Sequence, residues 1–214
     1  MPTVFLNGNR FKVEGGADDA RIKNDAENKA MTVYSTLTSS INRELETPLL
    51  ARLKLDAARA GKEVKATVTV DDLKEDAALD VTLHFALVEQ EVHYSGENGL
   101  RFHPMVVRSL ARGANESNYG FKVASGQANK FEHIFDLDRI TAENLRYYDE
   151  WPVERNREMN ARIGGSADFD VGRFKEQKHL INPNRLSVVA FLQDNKTRAI
   201  LQAVYLKAPL KVER

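Results

Sequence analysis

Glu89, Glu91, His93, His103 and Arg108 are the residues of this chain whose types and spacing come nearest to chemistry. Three of them alternate along Glu89-Gln90-Glu91-Val92-His93, so an extended strand sets two carboxylates and an imidazole on one face. Such groups, joined by a second histidine from a following loop, can ligate zinc or share a proton. Distance limits that reading. At about 3.3 Å per residue, Glu89 and His93 stand about 13 Å apart, so only adjacent alternates reach one ion. A hydrogen-bond network, buried or at a sheet edge, is the favoured role, and a metal or hydrolytic site using Glu91, His93 and His103 is the alternative. Arg108 follows the apolar Met105-Val106-Val107 and is expected to pair with Glu89 or Glu91, tying the loop at Asn98-Gly99 to the sheet.

Other chemistry is thinner. Asp168-Phe169-Asp170-Val171-Gly172 begins like a calcium loop, but the third acidic ligand, the glycine offset and the terminal glutamate do not follow, so it reads as an acidic loop. Tyr147, Tyr148 and Trp151 could form a platform for sugar or peptide, although aromatics at helical spacing more often pack a core. No Gly-x-Ser-x-Gly elbow supports a serine hydrolase. The chain has no cysteine, which excludes disulfides, thiolate metal sites and cysteine nucleophiles, and no cofactor is implied. Its 31 basic residues balance 31 acidic ones without a block of either sign, so the footprint of a nucleic-acid binder is missing. No apolar run approaches the roughly 18 residues of a membrane-spanning helix.

These residues must be positioned by a chain of 214 residues, long enough for one small and one larger unit, with a hydrophobic share of 42% typical of globular proteins. Residues 2–13 read as two short strands around Asn7-Gly8-Asn9, a pair of residues tolerant of positive φ. After Gly15-Gly16, the residues Ala26, Ala30, Val33, Leu37, Ile41 and Leu45 recur at three- or four-residue steps, which predicts a helix ended by Pro48. Strand signals dominate from Leu49: Leu53 and Leu55, then Val64, Ala66, Val68 and Val70, on either side of a turn at Ala60-Gly61. Leu79, Val81, Leu83, Phe85 and Leu87 share a face, but the apolar parity then flips to Val88, Val92 and Tyr94, which predicts a bulge or a change of sheet. Residues 118–124 and 129–137 read as short strands. Thr141 is a candidate helix cap, Pro152 a candidate start of a second turn, and 153–182 a polar excursion. The runs 186–193 and 197–207, separated by Asp194-Asn195-Lys196, predict a closing hairpin buried on both faces.

Met1-Pro2-Thr3-Val4-Phe5-Leu6-Asn7-Gly8 resembles the cis-proline, short strand and turn that face the redox dithiol in thioredoxin-like proteins. Phe85-Ala86-Leu87-Val88-Glu89-Gln90-Glu91-Val92-His93-Tyr94-Ser95-Gly96-Glu97-Asn98-Gly99, then His103-Pro104-Met105-Val106-Val107-Arg108, is similar to a bacterial family in which a thioredoxin-like domain precedes an immunoglobulin-like β-sandwich. Leu186 to Asp194 and Ile200 to Ala203 resemble its closing hairpin. The family's members are largely uncharacterised and often exported to the cell envelope, and some are related to outer-membrane proteins of poorly defined role. The resemblance implies an α+β, mainly β fold: a partial thioredoxin-like strand-strand-helix segment over 1–47 and a β-sandwich over 48–214, with a helical and polar excursion near 141–182. Pro2 would match the cis-proline that supports substrate backbone. With no Cys-x-x-Cys pair the chain is expected to be a truncated or divergent relative without thiol exchange, although a longer parent could be an oxidoreductase. The expected function is therefore a non-catalytic binding or accessory domain, with Pro2, Glu89, Glu91, His93, Asn98, His103 and Arg108 as candidate binding residues. Self-association is a further alternative, since the remnant sheet edge and helix face could pair with a protein partner, a second copy or the missing half.

Overall fold

The computed structural model describes residues 4–11, 26–74, 80–95, 99–113, 118–124, 129–164, 170–174 and 176–213. Alternation of apolar and polar residues, which lets a strand bury one face, runs through most of it and gives a mainly β structure of two large sheets and a small one. β1 (Val4–Leu6) and β2 (Asn9–Phe11) form a hairpin on their own. Its two-residue turn has φ of 48° at Asn7 and 79° at Gly8, the positive values expected of Asn-Gly. A Cβ on Gly8 would meet the carbonyl oxygen of Arg198, so the hairpin tip lies directly against the turn before the last long strand. α1 (Ala26–Leu45) follows, as its apolar period predicts.

One large sheet holds β3 (Arg52–Ala60), β4 (Glu63–Asp71) and β8 (Asn129–Asp136), with β11 (Lys211–Val212) added parallel to β3. The other has the order β10 (Ile200–Leu206), β9 (Leu186–Asp194), β5 (Val81–His93), β6 (Phe102–Leu110), and the short β7 (Phe121–Val123) pairs with the first residues of β5. Val64, Ala66, Val68 and Val70 of β4 are fully buried, as are Leu83, Phe85 and Leu87 of β5 and Leu186, Val188, Ala190 and Leu192 of β9. Together with Phe135 they make one core between the two sheets. Gly120, at φ 85°, brings the chain into β7 so close that a Cβ would lie 2.5 Å from Thr82 Cγ2.

Four expectations need correction. The parity flip at Leu87-Val88 is not a bulge in β5, which pairs with β9 without interruption from Val81 to Glu89. The extra residue is on β6: Leu87 faces Ser109 and Val88 faces Val107, which leaves Arg108 between them. Thr141 does not cap the second helix. β8 runs straight into α2 (Leu137–Arg162), capped by Asp136, whose Oδ1 accepts from the Asp138 and Arg139 amides at 2.9 and 3.0 Å. Pro152 does not start a new turn but lies buried inside this single 26-residue helix. Finally, only β9 of the closing hairpin is a buried central strand. β10 is flanked by β9 alone, and Tyr205 is 44% exposed.

The turn joining β9 to β10 is held by a carboxylate. Asp194, 7% exposed, accepts the Lys196 amide and the Thr197 hydroxyl, each at 2.8 Å. The Lys196 amide above all, and then Thr197, hold its carboxyl below the usual carboxylate range. A lowered folded-state pKa stabilises the fold fully above the unfolded value of about 3.9, and that contribution is lost as pH falls through the lower folded value. Asp194→Asn is therefore expected to lower the urea midpoint at pH 7, and the gap to the parent protein should close as pH drops below about 4. A gap that persists unchanged into acid would show that the charge on Asp194 plays no part.

Candidate functional site

The sequence-predicted cluster separates into two groups in the fold. Glu89 lies on the core-facing side of β5 just past Leu87, where that face would otherwise remain apolar, and it is 5% exposed. The bulge on β6 turns Arg108 toward it. Arg108 Nη2 and Nε donate to Glu89 Oε2 at 2.7 and 2.8 Å, and the two side chains are 7% and 6% exposed. Arg108 is thus paired with Glu89, as one of the two expected partners. The expected tie to the loop at Asn98-Gly99 involves residues outside those described, and among the described residues the pair holds another segment. Arg108 Nη1 donates to the Lys178 carbonyl at 2.6 Å and Nη2 to the Leu180 carbonyl at 3.2 Å, while Glu89 Oε1 accepts the Asn182 amide at 3.3 Å. A strap of irregular chain after α2 is therefore anchored by its main chain to a buried ion pair.

The second group is exposed. Glu91 accepts from the His93 ring, and Arg185 Nη1 donates to the same oxygen at 2.9 Å. His93 first, then Arg185, lower the Glu91 pKa. His103 does not join them. The strand register places it opposite Val92, whereas Glu91 faces Pro104 and His93 faces Phe102, so its side chain is on the other face of the sheet. Its Nε2 lies 3.0 Å from the Tyr94 carbonyl. The three residues of the metal alternative thus do not converge, and among the described residues no group of His, Asp and Glu could hold a metal ion. Pro2 and Asn98 lie outside the described residues.

The strap meets α2 at its other end. Asp170 Oδ1 accepts the Asn156 side-chain amide at 2.7 Å and the Gly172 amide at 2.8 Å, and Asn156 Oδ1 accepts the Val171 amide at 2.8 Å. The Gly172 amide, then Asn156, hold the Asp170 carboxyl below its usual range. Of the calcium-like segment, Asp168 and Phe169 lie outside the described residues, and Asp170 serves to fasten the strap. Phe174 then packs on Tyr148 and Trp151, with centroids 4.9 and 5.4 Å away, so these aromatics form a packing cluster under the strap. Beside it lies an open cleft of about 420 Å³, walled by Tyr94, Ser95, Trp151, Arg173 and Phe174. Arg185, Asn156 and Phe174 were missed from sequence. Each is an ordinary surface-type or isolated residue whose role comes from the path of the strap.

Truncating Arg108 strands a buried carboxylate and two main-chain carbonyls, those of Lys178 and Leu180, so Arg108→Ala is expected to cost about 3–5 kcal/mol in urea unfolding. Glu89→Leu/Arg108→Met, which removes both charges at similar volume, should cost clearly less than the single variant. Equal losses would mean that the pair does not act as a unit.

No protein-family model matches the chain, and no curated protein matches it significantly. Two solved structures from Porphyromonas gingivalis are similar to it. A domain of the outer membrane lipoprotein Omp28 superposes with a TM-score of 0.40 at 12% identity, over 78% of this chain and 93% of that one. HBP35 superposes with a TM-score of 0.48 at 10% identity over 85% of this chain, which spans 48% of HBP35.

Proposed function

We propose that the chain is a non-catalytic binding or accessory domain: an immunoglobulin-like β-sandwich joined to a thioredoxin-like strand-strand-helix segment of an envelope protein. The envelope and thioredoxin parts of this reading rest on the residues of the sequence resemblance, from Pro2 to Gly8 and from Phe85 to Arg108. For the sandwich, the distribution of strands gives support: β3, β4 and β8 share one sheet, β6, β5, β9 and β10 the other, and sequence neighbours cross between them as in that architecture. The observation that carries the non-catalytic reading is the engagement of the best chemical cluster in structural bonds. Both oxygens of Glu89 accept hydrogen bonds from groups that hold the strap, and His103 faces away from Glu91 and His93. Metal content tests it. Protein purified without chelator is expected to hold well under one equivalent of zinc, with thermal unfolding unmoved by added zinc. Stoichiometric zinc that disappears in His93→Ala would overturn the reading in favour of a metal site.

Self-association is a second reading, favoured by α1. Met31, Tyr34 and Leu45 are 60%, 66% and 78% exposed on a helix of 20 residues, and a protein helix draws most of its stability from packing of its apolar face. Sedimentation across a hundredfold range of concentration should then show a monomer–dimer equilibrium that Tyr34→Lys/Leu45→Lys abolishes. A monomer throughout removes this reading.

A further inference from the structure

The strap is bound in the way that a protein binds a foreign peptide. Among the described residues segment 177–182 pairs with no strand, and its hydrogen bonds to the buried pair are made through its main chain. Carbonyls of residues two apart, Lys178 and Leu180, are both taken by the Arg108 guanidinium, and the amide two residues further on is taken by Glu89. In an extended chain the carbonyls and amides of alternate residues face one edge, whereas in a helix they point in opposite directions along the axis, so two carbonyls and an amide at two-residue steps are read as extended backbone. The side chain between the last two contacts, Ile181, packs against the core, whereas Leu180 is 70% exposed. A planar cation with five donors beside a carboxylate acceptor is complementary to a peptide, which offers both carbonyls and amides. Both charged side chains are more than nine-tenths buried, and they are held on two paired strands, so the site is rigid while its occupant is irregular chain.

We propose that Glu89 and Arg108 form a site for an extended peptide, occupied in this structure by the chain's own residues 178–182. The ligand class is a partner segment in extended conformation, with two accepting carbonyls at alternate residues, an aliphatic side chain next, and a free amide after it. The strap acts as an internal competitor: held at both ends by covalent continuity, and fastened upstream by Asp170 and Asn156, it blocks the site until it is displaced. This deepens the binding reading and fails separately from it, because zinc content decides that reading and peptide binding decides this one.

The test undocks the strap and leaves the site intact. Ile181→Asp removes the aliphatic anchor and Asn182→Pro removes the amide given to Glu89. In the full chain carrying both changes, trypsin should cut after Lys178 at least about tenfold faster than in the parent protein, since proteolysis follows the open population. A fluorescein-labelled peptide of the native sequence Gln177 to Arg185 should then bind saturably by anisotropy, and bind the parent at least about tenfold more weakly. Adding Glu89→Leu/Arg108→Met to the undocked chain should abolish binding, as should N-methylation of the peptide at the Asn182 position. Asn182→Pro alone serves if the double change does not fold. No faster cutting at Lys178 would show that the strap is a fixed part of the fold and overturn the proposal. So would an undocked chain that binds no peptide, or binding that survives the loss of Glu89 and Arg108.

Discussion

The buried ion pair between Glu89 and Arg108 is the constraint on which one end of the two-sheet core depends. Taking a carboxylate and a guanidinium out of water costs several kcal/mol per ion, and only close mutual contact plus further hydrogen bonds offsets it. Both conditions are met, and the further bonds come from the backbone of the strap. The dependence runs both ways. Without the strap the guanidinium would keep one partner and lose two, and without the pair residues 178–182 would lose their three main-chain bonds and keep the packing of Ile181 on the core. A bulge is what makes the meeting possible. A regular β6 would send residue 108 to the face set by its neighbours, and the extra residue at that level re-aims it.

The same strand shows how the sheet ends without inviting another chain. β6 is paired on one side only, by β5, and edges of this kind are templates for aggregation. It carries Pro104, which has no amide to donate, and Met105 at φ 56°, a left-handed conformation that breaks the regular row of donors and acceptors. With Arg108 drawn inward, three of its nine residues depart from a clean ladder. The features that position the ion pair therefore also interrupt the edge.

How much was legible in the sequence follows from which groups carry each signal. Asn7-Gly8 and the turn at Gly61 were readable because Asn and Gly permit the positive φ found at these three positions, and β4 because Val64, Ala66, Val68 and Val70 alternate without exception. α1 was readable from its period. The start of α2 was not, since Asp136 is at once the last residue of a strand and the cap of a helix, and no loop separates the two. Pro152 misled because local propensity sets a boundary there, yet packing buries it within a continuous helix. A pairing of Arg108 with Glu89 or Glu91 was anticipated from charge in an apolar setting, and Glu89 is the partner. Its target was not, because the strap is recognised by carbonyls and an amide, which every residue has and no sequence pattern marks.

The two helices show what a partner contributes. α2 has aromatic residues at Tyr148 and Trp151, and Phe174 from the strap covers them, so its polar composition is compatible with a long ordered helix. α1 has a cleaner apolar stripe but exposes it, and the hydroxyls of Ser35 and Thr36 bond back to the Thr32 carbonyl, an interaction that adds little to a helix. Among the described residues, α1 is tied to the hairpin tip: the Asn7 amide group reaches Glu44 at 2.6 Å, and the Asn7 carbonyl accepts the Ile200 amide at 3.0 Å. Those bonds orient the end of α1 against β10 but bury little apolar surface, which is the term that normally decides whether a helix persists. The strap demonstrates the alternative solution within the same chain. A segment with weak structure of its own becomes ordered when buried polar groups on a sheet take up its backbone, so at that end of the β5–β6 sheet order is imposed by the sheet, whereas α1 must draw it from burial.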